Sequence, residues 1–515
     1  MKKNPQLALT LILGSLFLGL AFNFFFMWQV PGVSLVLYTL LIIGFVQLVK
    51  MQRNGKWYAH ASEIIYLPIL FVAVVPFLSQ NYTLSTLSVL LTLVSTVYVT
   101  IMVLWDIKPA LFSFLEMIVL GFFHQIIQIG YFFKPFTELT GVSVKKSTAS
   151  NYSNIALKVL AGIVLALPLL LCFFILFISA DTAFDKVFAV NFEELYKFFS
   201  WERVWELFVW ISVSVWLLGG FSAAVYYQFR RGETTLNTRF LDPIVATVIS
   251  VMVNLLFLCF VIIQFVYLFA GEARIGELGL TYSEYARQGF FELLAVAAIS
   301  LIVVYGLRRF GSFRSALNNT VLQFSLILQV LFNLVVLYSA YYRMSLYEKA
   351  YALTDVRFFV YAFLFFLVAV FAYVIAAILS KQALQYFSLA TFVMACVLMF
   401  TMGLVNPDAY VAKTNIAKQA AGQTQVGQLD TNYLINALSS DAYVHLLAVA
   451  TYRQDPDIMC DITRAWLEES SHRGSFQALN LYRLSNSETL TNATKDYIVN
   501  GDLSREKCDI MPIRF

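Results

Sequence analysis

Acids, tyrosines and arginines gather at a few points of an otherwise apolar chain. The densest point reads Thr281-Tyr282-Ser283-Glu284-Tyr285-Ala286-Arg287-Gln288-Gly289-Phe290-Phe291-Glu292-Leu293. Thr281 and Glu284 have the spacing of a capping box, in which the hydroxyl satisfies a free amide of the first helical turn and the carboxylate reaches back. On the helix this predicts, Tyr282, Tyr285, Gly289 and Glu292 fall near one face, and Glu284 and Arg287 can pair at i, i+3. Glu292 would sit about 15 Å along that helix, roughly a turn below a membrane surface, where a carboxylate is expected to face protein or a wet cavity. Three further groups follow the same style. Asp181 and Asp185 close one apolar run; Tyr347, Tyr351, Thr354, Asp355 and Arg357 precede another; and Asn406-Pro407-Asp408 ends a third, with Asn406 a cap and Pro407 at the first helical position.

Acids and tyrosines suit a cationic or sugar-like group, and arginines an anionic headgroup. The candidate binding set is Asp181, Tyr282, Glu284, Tyr285, Arg287, Glu292, Arg357, Asn406 and Asp408. Against it stands a plainer reading: loop-end Asp, Asn and Thr serve as caps, Tyr at a span end anchors to the interface, and Arg beside Glu forms a structural pair. The chain lacks a phosphate-binding glycine loop, a GxSxG elbow and an HExxH helix. Its four histidines are scattered, and no Cys/His spacing suits zinc. No metal, no cofactor and no catalytic residue is expected. An intramembrane transferase using Asp181 or Glu292 as base ranks last among the readings.

The elements that must hold these residues are membrane helices. The 515 residues are 60% hydrophobic and 13% charged, with a mean hydropathy of +0.74; soluble domains carry about twice that charge. The net charge of +4 makes no case for nucleic acid. About 20 apolar residues cross a bilayer core, and runs of that kind lie near 7–28, 30–49, 64–80, 83–105, 156–179, 205–228, 243–270, 289–307, 317–341, 357–380 and 384–404. The first run ends in Phe24-Phe25-Phe26-Met27-Trp28, too bulky for signal peptidase, so it reads as a retained span. Lys and Arg crowd alternate gaps: Lys50, Arg53 and Lys56; Arg230 and Arg231; Arg308, Arg309 and Arg314. That bias puts the N-terminus in the cytoplasm and every candidate residue on the outer side. Leu111–Phe133 is apolar but carries Glu116, His124, Gln125 and Gln128. Read as re-entrant or interfacial, it gives eleven spans with the C-terminus outside; if it crosses, there are twelve and both ends are inside.

The fold class expected is thus all-α: a polytopic membrane helix bundle of about 11 spans, with a small helical C-terminal domain. The division is a four-span region over 1–105, the re-entrant or interfacial segment 106–155, a seven-span core over 156–404, and a polar, mainly helical domain over 405–515. In that last domain Asp430 can cap a helix carrying Leu434 and Leu438, and Ser440 a second carrying Val444, Leu447 and Ala448. Cys460 and Cys508 could pair there if the compartment is oxidising. Asn254, Gln264, Gln323, Gln329 and Asn333 occupy span centres, where amides hydrogen-bond helices together; Asp, Glu, Lys and Arg do not occur there, against a proton-coupled carrier.

The long motif ending in Glu292-Leu293 resembles that of large bacterial membrane proteins classed as a domain of unknown function, numbered four-one-seven-three. The likeness extends more loosely to Ser179-Ala180-Asp181-Thr182-Ala183-Phe184 and to Asn406-Pro407-Asp408 with Asn415, across roughly the second half of the membrane region. It implies an integral membrane protein of uncharacterised function and supplies no catalytic residues. Three roles follow from the residues: binding or translocation of a solute or lipid through an outward-facing polar site; a sensor or scaffold recruiting a protein partner through the C-terminal domain; and, third, the transferase. Membrane lipid is the other partner expected, in the bacterial cytoplasmic membrane.

Overall fold

The structure, a computed structural model, describes residues 4–54, 60–111, 128–139, 201–226, 243–269, 290–310, 316–422, 429–453, 455–472 and 476–500. Among these residues every regular element is helical. Among the described residues nine helices are long and apolar enough to cross a membrane, and the fold is an all-α polytopic bundle. The expected span 156–179 lies outside the described residues, as does most of the segment 111–133 read as re-entrant or interfacial. The other ten expected spans coincide with helices.

The first helices form a tight group. Helix α1 (Pro5–Phe26) is capped by Asn4, whose Oδ1 accepts from the Leu7 amide at 3.1 Å. Helix α2 (Val33–Asn54) runs back, and the Asn4 amide donates to the Gln52 carbonyl at 3.1 Å. A 3-10 turn (Ala61–Ile65), α3 (Tyr66–Ala73) and α4 (Val75–Leu78) make one bent span. Helix α5 (Tyr82–Leu104) is capped by Asn81, whose Oδ1 accepts from Leu84 at 2.9 Å. At the end of the bundle shared by Asn4 and Gln52, Lys50 is 3% exposed and paired with Glu63, and an Arg53 Nη donates to the Leu104 carbonyl at 2.6 Å. A buried cation needs such a partner. His60 meets the exposed Asp106 there at 2.9 Å.

Short helix α6 (Lys134–Leu139) and long α7 (Trp201–Tyr226) join this group. The Trp105 indole donates to the Ala224 carbonyl at 3.0 Å and the Tyr226 hydroxyl to Glu138 at 3.1 Å. The C-terminal end of α7 therefore lies at the Asn4 end of the bundle, and its N-terminal end at the other. Helices α1 and α7 approach closely through small residues: a Cβ on Gly19 would stand 2.0 Å from Ser214 Oγ.

A second group comprises α8 (Pro243–Phe269), α9 (Phe290–Phe310), α10 (Ala316–Tyr351) and α11 (Asp355–Leu379). It is fastened by the amides. Asn254 donates to the Ser325 carbonyl at 2.8 Å and Gln323 to the Ile378 carbonyl at 3.1 Å; Gln329 and Asn333 both reach Ser300 Oγ, at 3.2 and 2.6 Å. Helix α10 has 36 residues, about 54 Å of helix against a bilayer core of about 30 Å, so it stands well clear of the membrane or tilts through it. After α12 (Lys381–Gln385), α13 (Phe387–Val405) returns to the first group, where Phe392, Cys396, Met399 and Met402 are buried.

The chain then builds a helical unit on the end of the bundle opposite Asn4: α14 (Pro407–Ala420), α15 (Thr431–Asn436), a 3-10 turn (Ser440–Ala442), α16 (Tyr443–Arg453), α17 (Pro456–His472), a 3-10 turn (Phe476–Ala478) and α18 (Leu481–Asn500). Asp430 caps α15, accepting from the Tyr433 amide at 2.9 Å. Ser440 is not the cap expected. It lies inside the 3-10 turn and donates to Gln80 Oε1 at 2.8 Å. The stripe buried on α16 is Tyr443, Leu446 and Ala450, while Val444 and Leu447 lie at its edge and Ala448 is exposed. The unit's core also holds Leu353, from the turn between α10 and α11, so it is continuous with the spans.

Candidate functional site

The polar residues with described side chains meet where the C-terminal unit sits on the helix ends. Asp408, 1% exposed, lies in the first turn of α14. Its Oδ1 accepts from Asn81 Nδ2 at 2.7 Å; its Oδ2 accepts from the Ser439 amide at 3.1 Å and the Ser439 hydroxyl at 2.6 Å. Asn406 holds a left-handed backbone (φ 56°), a conformation Asn tolerates better than most residues. There it ends α13 and caps α14, its Oδ1 accepting from Ala409 at 3.4 Å, while its amide donates to Asp441 at 2.7 Å. Asp441, fully buried, also accepts from the Gln80 amide at 2.8 Å. Two buried carboxylates thus stitch three segments: the α4–α5 turn at 79–81, the α13–α14 junction at 406–408, and the 3-10 turn at 439–441.

Burial raises the Asp408 carboxyl above its ordinary value. The hydrogen bonds from Ser439 and Asn81 pull the other way, and the nearby Asp355 adds to the rise. Asp355 exchanges two bonds with the Tyr433 hydroxyl, giving its amide proton at 2.9 Å and accepting at 3.0 Å. Burial raises the Tyr433 phenol as well, so it stays a neutral donor.

Arg357 follows the Thr354 cap of α11. Its guanidinium donates to the Tyr351 carbonyl at 2.9 Å and to the Ala352 carbonyl, and stands 4.2 Å over the Tyr347 ring. Ala352 is left-handed (φ 62°). Arg357 therefore closes the C-terminal end of α10, whose last carbonyls lack helical partners, and stacks on an aromatic face as guanidinium does. Beside it Asn415 brackets Leu353, accepting from its amide at 2.9 Å and donating to its carbonyl at 2.7 Å, and Lys418 pairs with Glu348.

The nine candidate residues therefore divide. Arg357, Asn406 and Asp408 lie in this one region, and their polar groups are engaged within the chain. Glu292 lies in the first turn of α9, and because only 311–315 separate α9 from α10, that turn is at the same end of the bundle. Asp181, Tyr282, Glu284, Tyr285 and Arg287 lie outside the described residues, as does the capping box. Cys460 is disulfide-bonded and 8% exposed, Cys259 and Cys396 are free thiols, and Cys508 lies outside the described residues. Among the described residues no group of three or more His, Cys, Asp or Glu is placed to hold a metal. A groove of about 530 Å³ between α1 and α2, lined by residues such as Leu13, Phe17, Leu40 and Leu48 around Gly14 and Gly44, carries no titratable side chain. Sequence reading missed Gln80, Asn81, Ser439 and Asp441. Asn81 had a signal, an Asn ahead of an apolar run in cap position; the others had none.

Fold and site together define an integral membrane protein of many helical spans whose polar residues join a C-terminal helical unit to the bundle. The chain matches the family described as a domain of unknown function, DUF4153, over residues 66–449, and it belongs to that family. The expected membership in an uncharacterised domain family is borne out; the family matched carries the number 4153, and the match reaches back to the third span and forward into α16. Comparison with curated proteins and with solved structures returned no match.

Proposed function

We infer that this protein is a membrane scaffold or sensor whose C-terminal helical unit is the part presented to a protein partner. One observation carries this reading. Asp408, Asn406 and Arg357, the candidate ligand-binding residues with described side chains, spend their polar groups on holding that unit and the α10–α11 turn in place. Buried carboxylates hydrogen-bonded to neighbouring segments fix one arrangement of the elements they join, which suits a presented surface. In this reading the N-terminus is cytoplasmic, the unit lies outside the cytoplasmic membrane, segment 111–133 is re-entrant, the spans number eleven, and Cys460 pairs with Cys508. The reversal between Trp105 and Trp201 supports the odd count: the chain leaves one end of the bundle at Trp105 and begins α7 at the other.

The test is site-specific photocrosslinking in native membranes. A crosslinking residue in place of Tyr452, 90% exposed on the unit, should give a discrete protein adduct. The adduct should fade in an Asp408→Ala, Asp441→Ala variant that still inserts. Absence of adducts from Tyr452 and from the other exposed positions of the unit overturns the reading.

The second reading is binding or translocation of a solute or lipid through an outward-facing polar site. It is supported by Glu292 in the first turn of α9, at the same bundle end as Asp408. With Asp181, Tyr282, Glu284, Tyr285 and Arg287 it would form that site. Glu292→Gln should then abolish solute uptake or lipid flipping by the reconstituted protein.

A further inference from the structure

The C-terminal unit carries large apolar side chains exposed on one short stretch of chain. Phe476 is 58% exposed, Leu481 49% and Leu484 56%. On a polar, water-surrounded surface such side chains are costly, because apolar area left in water is unfavourable. The stretch is pinned at the level where the spans end. The Leu479 carbonyl accepts from the amide of Val33, the first residue of α2, at 3.3 Å, and the buried Asn480 amide donates to the carbonyl of Pro76 in α4 at 3.1 Å. Leu481 and Leu484 lie one and four residues beyond Asn480, on one face of α18 at i, i+3 and within about 6 Å of it along the axis. Phe476 precedes the same anchor by four residues. At this end of the bundle Trp28 and Tyr82 are exposed too, by 64% and 84%, and they follow and precede spans as the aromatic belt of a membrane protein does.

We propose that Phe476, Leu481 and Leu484 form a membrane-contacting edge of the C-terminal unit, seated in the headgroup–acyl boundary of the leaflet on that side. The occupant of this face is bilayer lipid. The two hydrogen-bonded anchors hold the edge where spans α2 and α4 emerge, so its apolar side chains continue the lipid-facing surface of the bundle. Docking to the spans by hydrogen bonds and dipping into lipid by this edge would together fix the tilt of the unit on the membrane, as interfacial apolar faces do for peripheral helices.

The test uses the full chain in vesicles of phosphatidylcholine and phosphatidylglycerol. Spin labels are placed at Phe476→Cys and Leu484→Cys, with Cys172, Cys259 and Cys396 changed to Ala and Cys460 and Cys508 retained. The reference label is Ile302→Cys, 71% exposed in mid-span on α9. Oxygen, which partitions into lipid, should relax the labels at 476 and 484 more strongly than a water-soluble nickel chelate, as at 302. Stronger relaxation by the nickel chelate overturns the proposal, and so does shielding from both agents, which marks a face covered by protein. For the unmodified chain, a lipid-borne photoreactive carbene should label the peptide containing 476–484. An unlabelled peptide beside labelled spans overturns the proposal as well.

Discussion

At the scale of single residues, the candidate residues whose side chains are described, Arg357, Asn406 and Asp408, spend their polar groups on structure. Asp408 shows why. Asn81 cannot turn its amide around to suit a new neighbour, because its Oδ1 already caps Leu84. Asp408→Asn therefore sets an NH2 group either against Asn81 Nδ2 or against the backbone N–H of Ser439. Leaving a buried donor unmatched costs about 1–3 kcal/mol, and the variant should melt earlier in detergent by a corresponding margin. The pH dependence has a definite sign. Burial puts the folded-state value of Asp408 above its unfolded value, so its contribution to stability is fully present below the unfolded value and is lost as pH rises through the folded one. The melting temperature of the wild type should rise on acidification through the upper carboxylate range, and Asp408→Asn should flatten that slope. A slope unchanged in the variant would assign the effect elsewhere. Arg357 belongs to the same scale. Lys cannot reproduce its fork toward the carbonyls of 351 and 352 or its stacking on Tyr347, so Arg357→Lys should lose about 1 kcal/mol with no change in surface charge, read as a lower melting midpoint.

At the scale of elements, small residues decide which helices touch. The Cβ of Gly19→Ala would lie 2.0 Å from Ser214 Oγ and 3.0 Å from the Ser214 backbone nitrogen. Separating α1 from α7 should cost about 1–3 kcal/mol, the usual penalty of overpacking. Ser214→Gly removes the hydroxyl but not the backbone atom, so the double variant should recover part of the loss and not all; full additivity of the two single effects would show that the helices do not meet there. The helices themselves were legible. An apolar run of about 20 residues has one stable form in lipid, because every backbone group must be paired internally, and ten expected spans coincide with helices. The amides Asn254, Gln323, Gln329 and Asn333 were legible for the same reason. The excess length of α10 was not: beyond Tyr341 its sequence turns polar and tyrosine-rich, which reads equally as a loop, and that extension packs on α11 through Arg357 and Tyr361 and on α14 through Lys418. The latch was legible only in part. Asn406 and Asp408 stood out as a cap beside a helix start, yet their partners Asn81 and Asp441 are ordinary polar residues whose pairing spans 327 and 35 positions of chain. No local spacing encodes a contact of that kind, and a buried carboxylate in a latch has the same sequence signature as one in a binding site.

At the scale of the whole molecule, the contacts fix relative sidedness independently of the charge pattern. Asn4, Gln52, Arg53 and Leu104 share one end of the bundle, while Val33, Pro76, Asn81 and the C-terminal unit share the other. Basic residues at the first end and the carboxylate latch at the second are what the positive-inside bias would produce with the N-terminus in the cytoplasm. Asp106, whose side chain is 73% exposed, marks the first end, and Tyr452 the second. A membrane-impermeant maleimide applied to intact cells should therefore label Tyr452→Cys and spare Asp106→Cys until the membrane is opened. The reverse pattern would turn the protein over in the membrane and leave the fold intact. Labelling of both from one side would break the odd number of crossings, and with it the proposed eleven-span arrangement, in which Glu292, Asp408 and the C-terminal unit share one face.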